Sequence, residues 1–87
     1  MPDQRFSHLH LDLVGPLPSS EGFNYLLTIV DRFTRWPEAY PLVDMTTRSI
    51  AKKIVCEYVP RFGVPDLITT DRGRQFESEL FGQLASL

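Results

Sequence analysis

In Phe6-Ser7-His8-Leu9-His10-Leu11-Asp12-Leu13, the leucines at 9, 11 and 13 fall on one side of an extended chain, and His8, His10 and Asp12 fall on the other. A period of two with one apolar side describes a β-strand that lays one face on a core. Asp12 is the anomaly in it. Aspartate is depleted in strands, and a carboxylate inside an apolar run is costly unless it is paired, hydrogen-bonded or metal-bound. The residues alone leave two readings open: a partly exposed strand residue beside His10 or an arginine, or a functional ligand.

Downstream, Gly15-Pro16-Leu17-Pro18 ends the strand and Ser19-Ser20-Glu21-Gly22 reads as a polar connection. Residues 25–30 are rich in β-formers and predict a second strand, with Asp31-Arg32-Phe33-Thr34-Arg35 as the turn into a third over residues 36–42. Pro37 and Pro41 place that third strand at an edge, since proline donates nothing to a ladder. The period then lengthens. Ile50, Ala51, Ile54, Val55, Tyr58, Val59 and Phe62 recur at helical spacing, with Arg48, Lys52, Lys53 and Glu57 elsewhere, which predicts an amphipathic helix. Asp44 and Thr46 both suit its N-cap, and Pro60 with Gly63 is expected to end it. After Pro65, residues 67–70 predict a short buried strand that opens into an Asp71-Arg72-Gly73 loop, and a last helix is expected from Ser78 and still running at Leu87. A strand, a helix and another strand in succession imply a parallel return by a crossover, hence a mixed α/β sheet.

The 87 residues suffice for one small domain, and 43% hydrophobic with 23% charged residues predicts a packed core. A single cysteine, Cys56, excludes an internal disulfide and a stapled secreted scaffold. No apolar run suggests a signal peptide or a membrane span, so an intracellular chain is expected. A net charge of −2 gives no global attraction to a polyanion. Nucleic-acid contact must therefore be local. Arg72 with Arg74, and Arg48 with Lys52 and Lys53, are the candidates, and plain solvated surface charge is the alternative for both groups.

Asp71 follows a buried strand directly, where ligand sites of α/β sheets collect, although an ordinary turn aspartate before a glycine fits equally. Asp12 and Asp71 gain weight as a pair, because the inferred topology can bring both carboxylates to one end of the sheet. Paired carboxylates are what Mg²⁺ or Mn²⁺ requires for phosphoryl transfer.

His10-Leu11-Asp12-Leu13-Val14-Gly15-Pro16-Leu17-Pro18, Val30-Asp31-Arg32-Phe33-Thr34-Arg35-Trp36-Pro37-Glu38-Ala39, Arg61-Phe62-Gly63-Val64-Pro65 and Ile68-Thr69-Thr70-Asp71-Arg72-Gly73-Arg74-Gln75-Phe76-Glu77-Ser78 together resemble the integrase catalytic core of gypsy-type LTR retrotransposons and retroviruses. The resemblance implies an RNase H-like fold and a DNA strand transferase whose two aspartates and one glutamate hold Mg²⁺ or Mn²⁺. It places Asp12 and Asp71 as the two aspartates, catalytic and metal-binding, and Asp31 as a turn residue. Gly73, Gln75 and Phe76 would shape the loop after Asp71, with Arg72, Arg74 and Gln75 as DNA contacts. The family's glutamate lies on a later helix than this sequence reaches, so residues 1–87 are expected to be a single domain incomplete at its C-terminus and inactive alone. The intact parent would be nuclear and homo-oligomeric and would act on retroelement ends and target DNA, with no membrane partner. Three other readings compete. A ribonuclease H proper would draw its glutamate from the first helix, where Glu57 is the sole acid and stands far along; a zinc hydrolase built on His8, His10 and Asp12 lacks a third histidine; a non-catalytic remnant would bind DNA or protein without chemistry.

Overall fold

The computed structural model describes residues 7–18 and 22–87. The expected start of the first strand at Phe6, and Ser19, Ser20 and Glu21 of the expected connection, lie outside the described residues. Strand β1 (His8–Val14) pairs antiparallel with β2 (Tyr25–Asp31), β2 pairs antiparallel with β3 (Pro37–Leu42), and β1 pairs parallel with β4 (Leu67–Thr70). The sheet order is β3-β2-β1-β4, so the proline-bearing strand lies at an edge as its composition predicts.

Register decides which face is covered. Leu11 stands opposite Ile29, and Leu27 opposite Tyr40. These side chains form one buried cluster with Leu9, Leu42 and Ile68 from the sheet and with Ile50, Ala51, Ile54, Tyr58 and Leu80 from the helices. The alternate residues His8, His10, Asp12, Thr28 and Thr69 occupy the opposite face, and none of them is buried.

Helix α1 (Thr47–Lys53) is capped by Thr46, and Asp44, the other candidate, anchors that cap instead of capping the helix itself. The Asp44 Oδ1 accepts from the Thr46 backbone N–H at 3.0 Å and from the Thr46 hydroxyl at 2.8 Å, and the Thr46 Oγ1 accepts from the Ser49 N–H at 3.1 Å. The helix does not end at Pro60. A π-helical turn (Ile54–Tyr58) leads into α2 (Val59–Phe62), which carries Pro60 in its first turn. The Val59 N–H reaches back five residues to the Ile54 carbonyl, and this wider turn accommodates a residue that has no N–H and whose ring would crowd the preceding turn. Gly63, at φ 91°, ends the run.

Helix α3 (Arg74–Ser86) begins four residues before the predicted Ser78. Its inward residues Phe76, Leu80 and Leu84 are spaced by one turn, and Leu80 is fully buried. The polar first turn hides this start in the sequence, and packing of Phe76 on the core sets it. Gln75 and Phe76 are accordingly helical and do not belong to the loop after Asp71. Helices α1 and α3 also meet through the Thr47 hydroxyl, which donates to the Glu79 carboxylate at 2.9 Å.

One tie joins β3 to α2. Glu38 accepts from Arg61 at 2.6 Å, from the Tyr40 hydroxyl at 3.1 Å and from the Trp36 indole N–H at 2.7 Å. The Trp36 hydrogen bond is the largest influence on the Glu38 carboxyl; burial, the next largest, opposes it, and the Tyr40 hydroxyl and Arg61 tip the balance to hold the group below its ordinary value of 4.5. A carboxyl depressed by folding contributes stability that is complete above its unfolded value and is lost as pH falls through the folded one. Glu38→Gln is therefore expected to lower the unfolding midpoint at pH 7 and to flatten its decline below pH ~4.5. Urea titrations from pH 3 to 7 measure both effects, and parallel curves for the two proteins would contradict the assignment.

Candidate functional site

The β1–β4 register runs from His8↔Leu67 to Leu11↔Thr70. The next step along both strands brings Asp12 abreast of Asp71, the first residue after β4. Side chains alternate along a strand, so Asp12 follows His10 on the face that the helices leave open, and Asp71 begins the turn that leaves β4 beside it. The Asp12 side chain is 57% exposed.

The neighbouring residues form a small polar array. The Thr69 Oγ1 lies 3.0 Å from His10 Nδ1 and 3.5 Å from His8 Nε2, and it donates to the Leu9 carbonyl at 3.4 Å. The other nitrogen of His10, Nε2, stands 3.8 Å from the Asp12 Oδ1, beyond direct hydrogen-bond length. One imidazole thus spans β4 and the Asp12 carboxylate, and the tie to Thr69 fixes its ring plane.

Asp71 owes its position to groups on either side of it. The Thr70 N–H donates to the Glu77 carboxylate at 2.8 Å, which links the end of β4 to the first turn of α3. The Arg72 N–H donates to the Thr70 hydroxyl at 2.9 Å, and Gly73, at φ 96°, admits the reversal into α3. The predicted DNA contacts separate here. The Arg72 guanidinium reaches the Met45 sulfur at 3.5 Å and lies 5.8 Å from the Phe76 ring centroid, so part of its surface is applied to the protein. Arg74 is exposed and borders a shallow groove along β4 with Leu67, Ile68, Glu77, Ser78 and Phe81; Gln75 is exposed on the first turn of α3. In the second candidate group, Lys53 pairs with Glu57 at 2.6 Å. Glu57 borders Pro41, Leu42 and Val43 of the β3 edge, not β1, which removes it from reach of Asp12 as a ribonuclease H ligand.

Neither the Glu77–Thr70 bond nor the His10–Thr69 contact carries a signal in the sequence. Glu77 sits in a polar run with no apolar period to flag it, and His10 meets Thr69 only once the parallel register is known.

A four-stranded sheet that is parallel only between β1 and β4, with helices packed on the Leu9–Leu11 face, defines an RNase H-like α/β domain. Residues 2–86 match the integrase core domain, and the chain belongs to that family. It is 36% identical over 81 residues to the Gag-Pol polyprotein of feline leukemia virus, a match covering 93% of this chain and 5% of that polyprotein. It is 37% identical over 81 residues to the Pol polyprotein of radiation murine leukemia virus (strain Kaplan), covering 93% of this chain and 14% of that protein. With the Pol polyprotein of feline endogenous virus ECE1 it shares 43% identity over 75 residues, covering 86% of this chain and 7% of that protein. The chain thus spans a small fraction of the length of the curated relatives it matches.

The Glu77 tie yields an expectation of its own. A hydrogen bond to a charged, partly shielded acceptor contributes roughly 1.5–3 kcal/mol. In Glu77→Ala the Thr70 amide should exchange with solvent at least tenfold faster, while the Leu11 amide keeps its protection. Hydrogen exchange followed by NMR reads both, and an unchanged Thr70 rate would show that Glu77 does not hold the Asp71 loop.

Proposed function

We propose that Asp12 and Asp71 are the paired carboxylates of a divalent-metal site, and that the chain is part of a retroelement integrase that cuts and joins DNA phosphodiesters. The observation that supports this best is the parallel β1–β4 register, whose last pair, Leu11 with Thr70, immediately precedes Asp12 on one strand and Asp71 on the other. Exposed carboxylate oxygens suit hard cations such as Mg²⁺ or Mn²⁺. Among the described residues, no group of three or more His, Cys, Asp or Glu side chains gathers at one point, so the pair supplies only part of a coordination shell. Two cations held there would supply stabilisation of both the attacking and the leaving oxygen of an in-line displacement. His10, hydrogen-bonded to Thr69, would stand beside the Asp12 carboxylate as a neighbouring polar group. Glu77, through the Thr70 amide, would hold the Asp71 loop against α3, and Arg74 and Gln75 would meet DNA phosphate beside it.

On this reading the intact parent belongs to a gypsy-type LTR retrotransposon or a related retrovirus, acts in the nucleus as a homo-oligomer on element ends and target DNA, and draws its third carboxylate, a glutamate, from residues not included here. Motifs such as Val30-Asp31-Arg32-Phe33-Thr34-Arg35-Trp36 carry the gypsy-type resemblance. No described helix is long and apolar enough to cross a membrane. The two-ligand set also favours one other reading, a remnant that binds DNA or protein without chemistry.

Mn²⁺ titration separates the possibilities. Paramagnetic broadening should centre on the amides of Asp12, Thr28 and Asp71, and Asp12→Asn or Asp71→Asn should each weaken Mn²⁺ binding about tenfold, equivalent to ~1.4 kcal/mol. The 87 residues alone should neither nick nor join DNA ends. Broadening centred on another acidic residue and indifferent to both substitutions would overturn the metal reading. Strand transfer by these residues alone would overturn the need for a third carboxylate.

A further inference from the structure

The β2–β3 turn presents two large aromatic side chains to solvent where a small domain would ordinarily cover them. Phe33 is 65% exposed and Trp36 is 51% exposed. Arg32 and Arg35 alternate with them and are also exposed, and among the described residues no carboxylate forms an ion pair with either arginine.

The turn is also held rigidly. The Asp31 Oδ2 accepts from the Thr34 N–H at 2.8 Å and from the Thr34 hydroxyl at 2.5 Å, and the side chain bearing it is fully buried. The Arg35 N–H donates to the Asp31 carbonyl at 2.8 Å, the Asp31 N–H donates to the Trp36 carbonyl at 3.0 Å, and the Arg32 N–H donates to the His8 carbonyl at 2.8 Å. The indole N–H is fixed on Glu38 at 2.7 Å, and Arg61 already neutralises that carboxylate. Arg35 adopts φ 66°, a left-handed conformation uncommon for a residue with a side chain. The backbone that carries these rings and cations, and the indole itself, are therefore held in place, so a ligand meets little backbone ordering cost.

We infer that the Arg32–Trp36 turn is a second nucleic-acid contact, which takes a single strand by stacking bases on Phe33 and Trp36 while Arg32 and Arg35 meet its phosphates. Aromatic faces interleaved with arginine match unstacked bases and a polyanionic backbone. The local charge is positive in a chain whose net charge is −2, and that contrast favours a polyanion over an acid-poor protein surface. A duplex hides its base faces and gains only the charge term. The site is distinct from the aspartate pair. Asp31 pairs with Leu9 near the start of β1, while Asp12 lies toward its carboxyl end, about three residues or ~10 Å along the strand. It needs no divalent metal and stands whether or not the metal reading does.

Trp36 is the only tryptophan, so its fluorescence reports this site alone. An oligothymidylate of ~20 nucleotides, added in EDTA at low salt, should quench it more strongly than a duplex of the same length. By anisotropy of the labelled strand, Phe33→Ala should weaken binding at least fivefold, as loss of one stacked base at about 1 kcal/mol implies. The pair Arg32→Gln and Arg35→Asn should reduce the slope of log K against log salt by roughly 1.4, as loss of two single-strand phosphate contacts requires. Asparagine tolerates the left-handed backbone at position 35, so this second set tests the site even if the Phe33 variant alters the fold. Absence of quenching, equal response to duplex, or affinity indifferent to all three substitutions would overturn the inference. A Trp36 spectral shift that follows protein concentration and ignores DNA would also overturn it, and would assign the turn to a second copy of the chain.

Discussion

Parallel pairing of β1 with β4 is the constraint on which the rest of the structure depends. It joins segments separated by the whole β2–β3 meander and the helical run of residues 47–62, and it has only four paired positions in which to fix the register. A slip of one residue would turn every side chain of one strand to the opposite face. Ile68 would leave the core and Thr69 would lose His8 and His10. Burial of Ile68 against the Leu9–Leu11 face, together with the Thr69 contacts to His8, His10 and the Leu9 carbonyl, resists that slip from both sides of the sheet.

Two aspartates show how position decides chemistry. Asp31 is fully buried on the helix-covered face, and its carboxylate secures the β2–β3 turn through Thr34. Asp12, on the alternate phase of the neighbouring strand, keeps its carboxylate open to solvent beside a single histidine. Identical side chains thus serve turn structure in one case and leave their oxygens accessible to solvent in the other. The pleat, not the residue type, separates them.

Much of this was legible in the sequence. The alternation of Leu9, Leu11 and Leu13 with His8, His10 and Asp12 gives β1 its two faces, and the Ile50–Ala51–Ile54–Tyr58 stripe gives the helix its buried side, because both patterns are imposed by burial itself. Asp44 and Thr46 are equally readable as the cap; Thr46 is the N-cap, and Asp44 holds it from two residues before. The misses have a common cause: local rules were overridden by contacts from elsewhere. Pro60 with Gly63 reads as the helix end and Gly63 does end the run, but the π turn that admits Pro60 has no sequence signal. Arg74-Gln75-Phe76-Glu77 reads as loop, yet Phe76 packs on the core and Glu77 caps the end of β4. Neither the Glu77–Thr70 bond nor the His10–Thr69 contact has a sequence period, since each exists only after β4 has docked.

The proposed sharing of a cation by Asp12 and Asp71 rests on the register that ends with Leu11 beside Thr70. Anomalous diffraction from crystals soaked in Mn²⁺ tests it most directly. The account predicts a manganese peak bounded by carboxylate oxygens of both residues on the open face of the sheet, with His10 beside Asp12. A peak at either aspartate without the other, or at a carboxylate elsewhere on the chain while this pair stays empty, would contradict it.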